Sequence, residues 1–120
     1  MLTVIDEQGR AYNLPRLPHG ANYSSWLRKF TQDQIEAIYE HLDSEISTQE
    51  RFSCATLFGG ARGDWEAPLL YIYQATGNET DSALLLGRMV LARIIAGEKH
   101  WLMTKTNLNG RELATAFYWN

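Results

Sequence analysis

The segment Ala83–Gly97, ALLLGRMVLARIIAG, constrains the fold most, because it is apolar around most of its circumference when drawn as a helix. We expect such a helix at the centre of a domain, packed on more than one side. Thr80 or Asp81 could cap its N-terminus. Gly87 lowers helix propensity by about 1 kcal/mol relative to alanine, which predicts a close approach by a neighbouring backbone.

The length and composition are those of one globular domain. The chain has 120 residues, of which 45% are hydrophobic and 21% are charged, close to the average for globular proteins. We therefore expect residues 1–120 to form a single soluble domain. The formal charge of −3 comes from 14 acidic and 11 scattered basic residues, which argues against nucleic acid as a partner.

Cysteine usage and hydropathy favour a cytoplasmic protein. The one cysteine, Cys54, lies in the apolar stretch Phe52–Phe58 and can form no internal disulfide. The N-terminus reaches charged residues too early for a signal peptide. Arg88 and Arg93 interrupt the longest apolar segment, which is shorter than the roughly 20 residues of a membrane span, so no membrane partner is expected.

Three further helices are predicted from caps and apolar periodicity. Ser24 or Ser25 could cap a short helix, and Thr31 with Gln34 forms the pattern of a capping box for a longer one. The longer helix carries an apolar stripe at three- and four-residue spacing: Ile35, Ile38, Tyr39, Leu42 and Ile46. Asp64 could cap another helix with Pro68 in its first turn.

Strands are predicted at both ends of the chain and in its middle. Leu2–Ile5 and Arg10–Asn13 flank a polar turn, and the tail alternates on both sides of Asn107–Gly110, so each end is predicted to be a hairpin. Residues 51–58 are rich in aromatic and β-favouring types. The alternatives are a helix over 47–58, capped by Ser47, and a helix over 111–119. The preferred fold is α+β, an antiparallel sheet of about five strands packed against about four helices.

The loop Gly59–Trp65 is a candidate binding site without a recognisable catalytic motif. Its GGARGD sequence lacks the lysine and hydroxyl of a phosphate-binding P-loop. Exposed backbone N–H groups and Arg62 could still hold a small anion, beside Asp64 and Trp65. No pattern for a nucleophile, a catalytic residue, a metal ligand set or a cofactor is present.

The consecutive rings Phe117, Tyr118 and Trp119 predict a contact surface. On a strand they cannot all face one core, so at least one ring should emerge on the far face of the sheet. Aromatic residues at exposed positions mark protein contacts, and an unpaired final strand would invite a partner. The sequence therefore favours a small non-catalytic interaction protein that forms a homodimer or other homo-oligomer. The alternative is a small enzyme or ligand-binding domain with a pocket near Gly59–Trp65.

Overall fold

The computed structural model describes residues 2–5, 8–16, 20–53, 67–108 and 111–119, with the backbone alone at 51, 53, 104–108 and 111–119. The fold is mixed α+β, as predicted. Most of the sheet consists of three strands, which are β1 (Leu2–Ile5), β4 (Trp101–Leu108) and β5 (Arg111–Trp119). Two three-residue strands extend its edges, β2 (Ala11–Asn13) and β3 (Arg51–Ser53).

Four α-helices occur in the described residues, in agreement with the predicted number. They are α1 (Gly20–Leu27), α2 (Gln32–Ser47), α3 (Leu70–Thr76) and α4 (Glu79–Ala96). Within the described ranges, no helix combines the length and apolarity needed to cross a membrane.

The sheet has the strand order β2-β1-β4-β5-β3 and is mixed rather than antiparallel. Strand β1 pairs with β4 in parallel, whereas the other three pairs are antiparallel. The prediction of about five antiparallel strands therefore overstated the sheet. Two of the five strands have only three residues, and one of the four pairs is parallel. The physical reason is the long connection between β1 and β4, because a chain that passes through several helices can return in the same direction.

The sheet register forms continuous rows across the strands. One row carries Tyr12, Val4, Met103, Tyr118 and Phe52, and we call it the core row. Val4, Met103 and Phe52 are all buried. Neighbouring positions along a strand lie on opposite faces, so the rows on either side of the core row belong to the other face.

All four helices contribute to a core that also contains the buried side chains of the sheet. Helix α4 supplies the most, as predicted for a central helix, with the buried apolar residues Leu85, Leu86, Met89, Val90 and Ile94. Helix α2 buries Ile38, Leu42 and Ile46, all members of the predicted stripe. The ring of Phe52 meets Trp101 edge to face, with 5.2 Å between centroids.

The predicted start of α2 is confirmed. The Thr31 side chain accepts a hydrogen bond from the Gln34 backbone N–H at 3.2 Å. The Gln34 side chain in turn accepts from the Thr31 backbone N–H at 3.0 Å. The two bonds form a capping box, which satisfies N–H groups that have no partner within the helix.

The predicted starts of the other helices are displaced. Helix α1 begins at Gly20, so Ser24 and Ser25 lie inside it and are not caps; the earlier start carries Tyr23 into the core. Helix α3 begins at Leu70, after Pro68, and Asp64 lies outside the described residues. The burial of Tyr23 depends on neighbours distant in the sequence, which local capping patterns do not report.

The junction between α3 and α4 uses Asn78 rather than Thr80 or Asp81. Gly77 ends α3 with φ 79°, a left-handed conformation that favours glycine. The Asn78 side chain accepts from the Asp81 backbone N–H at 2.8 Å and so caps α4. Asparagine is an effective N-cap because its short side-chain amide reaches the free backbone N–H groups of the first helical turn.

Gly87 lies in open space among the described residues. A Cβ atom built at this position would meet no heavy atom within 4 Å. The predicted close approach of a neighbouring backbone is therefore wrong for this part of the chain. Leu84, one turn earlier on α4, is also exposed.

Replacing Thr31 with alanine tests the capping box. We expect Thr31→Ala to lower the free energy of unfolding by about 1 kcal/mol, because it removes the acceptor for the Gln34 N–H. The measurement is urea unfolding followed by circular dichroism. The control is Ser44→Ala, an exposed position inside α2, where alanine improves helix propensity. Equal stability of Thr31→Ala and the wild type would contradict the prediction.

Candidate functional site

The two predicted site regions differ in what the structure describes. Arg62, Asp64 and Trp65 lie outside the described residues, as does the rest of the loop Gly59–Trp65. Phe117, Tyr118 and Trp119 form the end of β5, so this segment is a strand and not the alternative helix. Residues 51–53 are likewise strand, and the rest of the predicted middle strand lies outside the described residues.

The register separates the three aromatic residues between the two faces. Tyr118 pairs with Met103 and Phe52, so it occupies a position in the core row. Trp119 pairs with Leu102 and Phe117 with Thr104, in the two flanking rows of the opposite face. The aromatic end of β5 lies between β4 and β3, so the prediction that it is an unpaired edge is wrong there.

The two flanking rows define what we call the outer face of the sheet. Ten positions form it: Asn13, Thr3, Leu102, Trp119, Arg51, Ala11, Ile5, Thr104, Phe117 and Ser53. Ile5 and Leu102 are partly exposed, and neither belongs to the core cluster packed under the helices. The outer face therefore carries apolar side chains that are not part of the described core.

A short hydrogen-bond chain lies at one corner of the outer face. The Thr3 hydroxyl donates to Asn13 Oδ1 at 3.1 Å and lies 2.8 Å from His100 Nε2. A hydroxyl has one proton, so His100 donates to Thr3 when Thr3 donates to Asn13. In this arrangement His100 is not placed to take the proton of Thr3 as a general base would. The chain instead links β1 and β2 to the residue that precedes β4.

A second candidate surface lies between α1 and α4, and we call it the α1–α4 groove. It is shallow, has a volume of about 310 Å³ and is lined by Asn22, Ser25, Trp26, Lys29 and Arg88. The Lys29 Nζ atom lies 4.5 Å from the centroid of the Trp26 ring. Trp26 is also partly buried against the core.

Sequence reasoning missed the α1–α4 groove. Its α1-side members, Asn22, Ser25, Trp26 and Lys29, recur at three- and four-residue intervals, the spacing of one helix face. This spacing does not distinguish a binding site from an ordinary exposed helix face, on which serine and asparagine are common. Arg88 joins them only through the packing of α1 against α4.

A polar network joins α1, α2 and α4 beside the core. The Tyr23 hydroxyl on α1 shares a short hydrogen bond with the Tyr39 hydroxyl on α2. Arg93 on α4 lies over the Tyr39 ring, 4.6 Å from its centroid, and donates to both carboxylate oxygens of Asp43 at 2.9 and 2.8 Å. The hydrogen bonds to Asp43 raise the pKa of Arg93 above its already high usual value. The guanidinium is therefore a permanent charge that connects two helices.

Within the described ranges, no group of three or more histidine, cysteine, aspartate or glutamate side chains could hold a metal ion. Comparison with known proteins gives no matching family model, no matching curated protein and no matching solved structure. In the described part of the chain, the outer face and the α1–α4 groove are the surfaces that carry candidate binding residues.

Burial makes the Tyr23 phenol a contributor to the pH dependence of stability. Burial, and then the hydrogen bond with Tyr39, raise the pKa of Tyr23 well above its usual value near 10. The folded chain therefore keeps this proton at pH values where the unfolded chain has lost it. The contribution of Tyr23 to stability is complete below about pH 10 and decreases as the pH rises further.

We expect Tyr23→Phe to make the alkaline loss of stability shallower by up to about 1.4 kcal/mol per pH unit above about pH 10. The measurement is the free energy of unfolding in urea at about pH 8 and about pH 11. Tyr12→Phe is the matched control, because the Tyr12 ring is 50% exposed. An unchanged pH dependence in Tyr23→Phe would show that another group is responsible.

Proposed function

We propose that the chain is a small non-catalytic interaction protein that forms a homodimer through the outer face of its sheet. The observation that carries this proposal is the register of β5, which assigns Phe117 and Trp119 to the face opposite the helices. Leu102 and Ile5 share these rows and are partly exposed. Aromatic and aliphatic residues are characteristic of the centre of a protein interface.

The charge pattern of the outer face supports a second copy of the chain as the partner. Arg51 is the one charged residue among its ten positions, although the whole chain carries a formal charge of −3. A two-fold symmetric contact brings the same patch together from both subunits. A patch with almost no charge can meet itself without the repulsion that the acidic parts of the surface would cause.

Face-to-face packing of two sheets is the geometry that these positions favour. Strand addition would require a free edge next to the aromatic residues, but Phe117–Trp119 pairs with β4 on one side and β3 on the other. Packed sheets instead bury alternate side chains from each strand, about 10 Å apart. The outer face has this alternation in all the strands that cross it.

Light scattering coupled to gel filtration tests the dimer over a range of concentrations. We expect the wild type to have the mass of two chains, and Trp119→Ala and Leu102→Lys to shift it toward 13.7 kDa, the mass of one. Removing an aromatic ring that is an interface hot spot costs about 2 kcal/mol or more, which corresponds to about thirtyfold in dissociation constant.

Tyr12→Ala is the matched control, because Tyr12 is an exposed aromatic residue at the β2 end of the core row. It should remain dimeric. Circular dichroism of each variant establishes that a change in mass is not a loss of fold. A wild type that has the mass of one chain at every concentration would overturn the proposal.

A further inference from the structure

We propose that the α1–α4 groove binds a small phosphate monoester. This site belongs to the helical layer and is independent of the proposed dimer. The groove is lined by Asn22, Ser25, Lys29 and Arg88, whose side chains carry an amide, a hydroxyl, an ammonium and a guanidinium group. All four groups can donate hydrogen bonds, and two carry a positive charge.

The positive charges of the groove lack the compensation found elsewhere in the chain. Arg93 is neutralised by Asp43 through two hydrogen bonds. In the part of the chain that the structure describes, no carboxylate forms an ion pair with Lys29 or Arg88. Two cations that line one groove repel each other, and a bound anion would offset that repulsion. The groove is thus selective for negative charge although the chain has a net charge of −3.

Trp26 holds one of these charges in position. The ammonium of Lys29 lies 4.5 Å from the Trp26 ring centroid, within the range of a cation–π contact. Trp26 is itself held by packing against the core. A lysine side chain normally loses much rotamer freedom when it binds, so this contact reduces the entropic cost of binding an anion.

The number of donors favours a phosphate over a carboxylate. A phosphate monoester carries close to two negative charges at neutral pH and has three strong acceptor oxygens. A carboxylate carries one charge and has two oxygens. Two cations and two neutral donors therefore match a phosphate group more completely than a carboxylate.

The size and the apolar flank of the groove favour a small ester. The volume of about 310 Å³ lies at the lower limit of small-molecule sites. The Trp26 ring gives an organic group attached to the phosphate an apolar surface to contact. An ester should therefore bind more tightly than inorganic phosphate.

Heteronuclear NMR titration at constant ionic strength tests the site. The probes are O-phospho-L-serine, adenosine monophosphate, inorganic phosphate and glutamate. We expect saturable shifts at the Asn22, Ser25 and Arg88 amides and the Trp26 indole N–H, with both esters binding more tightly than phosphate or glutamate. The tighter of the two esters identifies the source of the phosphate as an amino-acid derivative or a nucleotide.

Matched charge variants distinguish a site from general attraction. Arg88→Gln should weaken ester binding about tenfold, because it removes a charge-assisted hydrogen bond. Arg28→Gln removes the same charge one residue from Lys29, at an exposed position outside the groove, and should change binding less than about twofold. Lys29→Gln, at another exposed position, replaces Arg88→Gln if the latter does not fold.

Three results would overturn the proposal. The first is a titration without saturable shifts at the groove. The second is equal weakening by Arg28→Gln and Arg88→Gln, which would indicate non-specific attraction. The third is glutamate binding as tightly as the esters, which would assign the groove to carboxylates.

Trp26→Leu should reduce the ratio of ester affinity to inorganic phosphate affinity. An unchanged ratio would show that the ring does not contact the organic group of the ester.

Discussion

The parallel pairing of β1 with β4 is the constraint on which the rest of the fold depends. It joins the N-terminal and C-terminal hairpins into one sheet, and α1, α2, α3 and α4 all lie between these strands in the sequence. Parallel strands require a crossover connection, which passes over a face of the sheet. The buried pairs Leu2–Trp101 and Val4–Met103 make that face the apolar one. The helices cover it because burial of apolar surface stabilises both layers together.

Helix α4 organises the helical layer and shapes the α1–α4 groove. Its buried side chains contact the core, while Arg93 reaches Asp43 and the Tyr39 ring on α2. Tyr39 is hydrogen-bonded to Tyr23, so the same network holds α1. The packing of α1 against α4 brings Arg88 into the same groove as Lys29. The network beside the core therefore helps to hold the two helices that line the proposed phosphate site.

The two proposed surfaces use different properties of the chain. The outer face combines apolar rows with a single charged position, and such a surface suits a contact that excludes water. The groove is lined by two cationic residues and one tryptophan, and such a surface suits a small anion. One is built by the backbone register of the sheet and the other by the packing of two helices. Each can therefore be disrupted without direct effect on the other.

Local patterns in the sequence determined the element types correctly in several places. The capping box at Thr31 and Gln34, the stripe on α2 and the apolar circumference of α4 each report interactions within a few residues. Alternation in the tail likewise predicted the two strands β4 and β5. These signals are reliable because helix and strand periodicity follow directly from backbone geometry.

Only the tertiary structure decided which of these elements meet. The start of α1 at Gly20 and the parallel β1–β4 pair depend on burial against residues distant in the sequence. The candidate sites also depend on contacts between residues distant in the sequence. The alternation of Phe117, Tyr118 and Trp119 follows from strand geometry, but pairing with Met103 and Phe52 assigns Tyr118 to the core row. The presence of Arg88 and Lys29 in one groove has no local signature, because the free energy of packing two helices sums over the whole core.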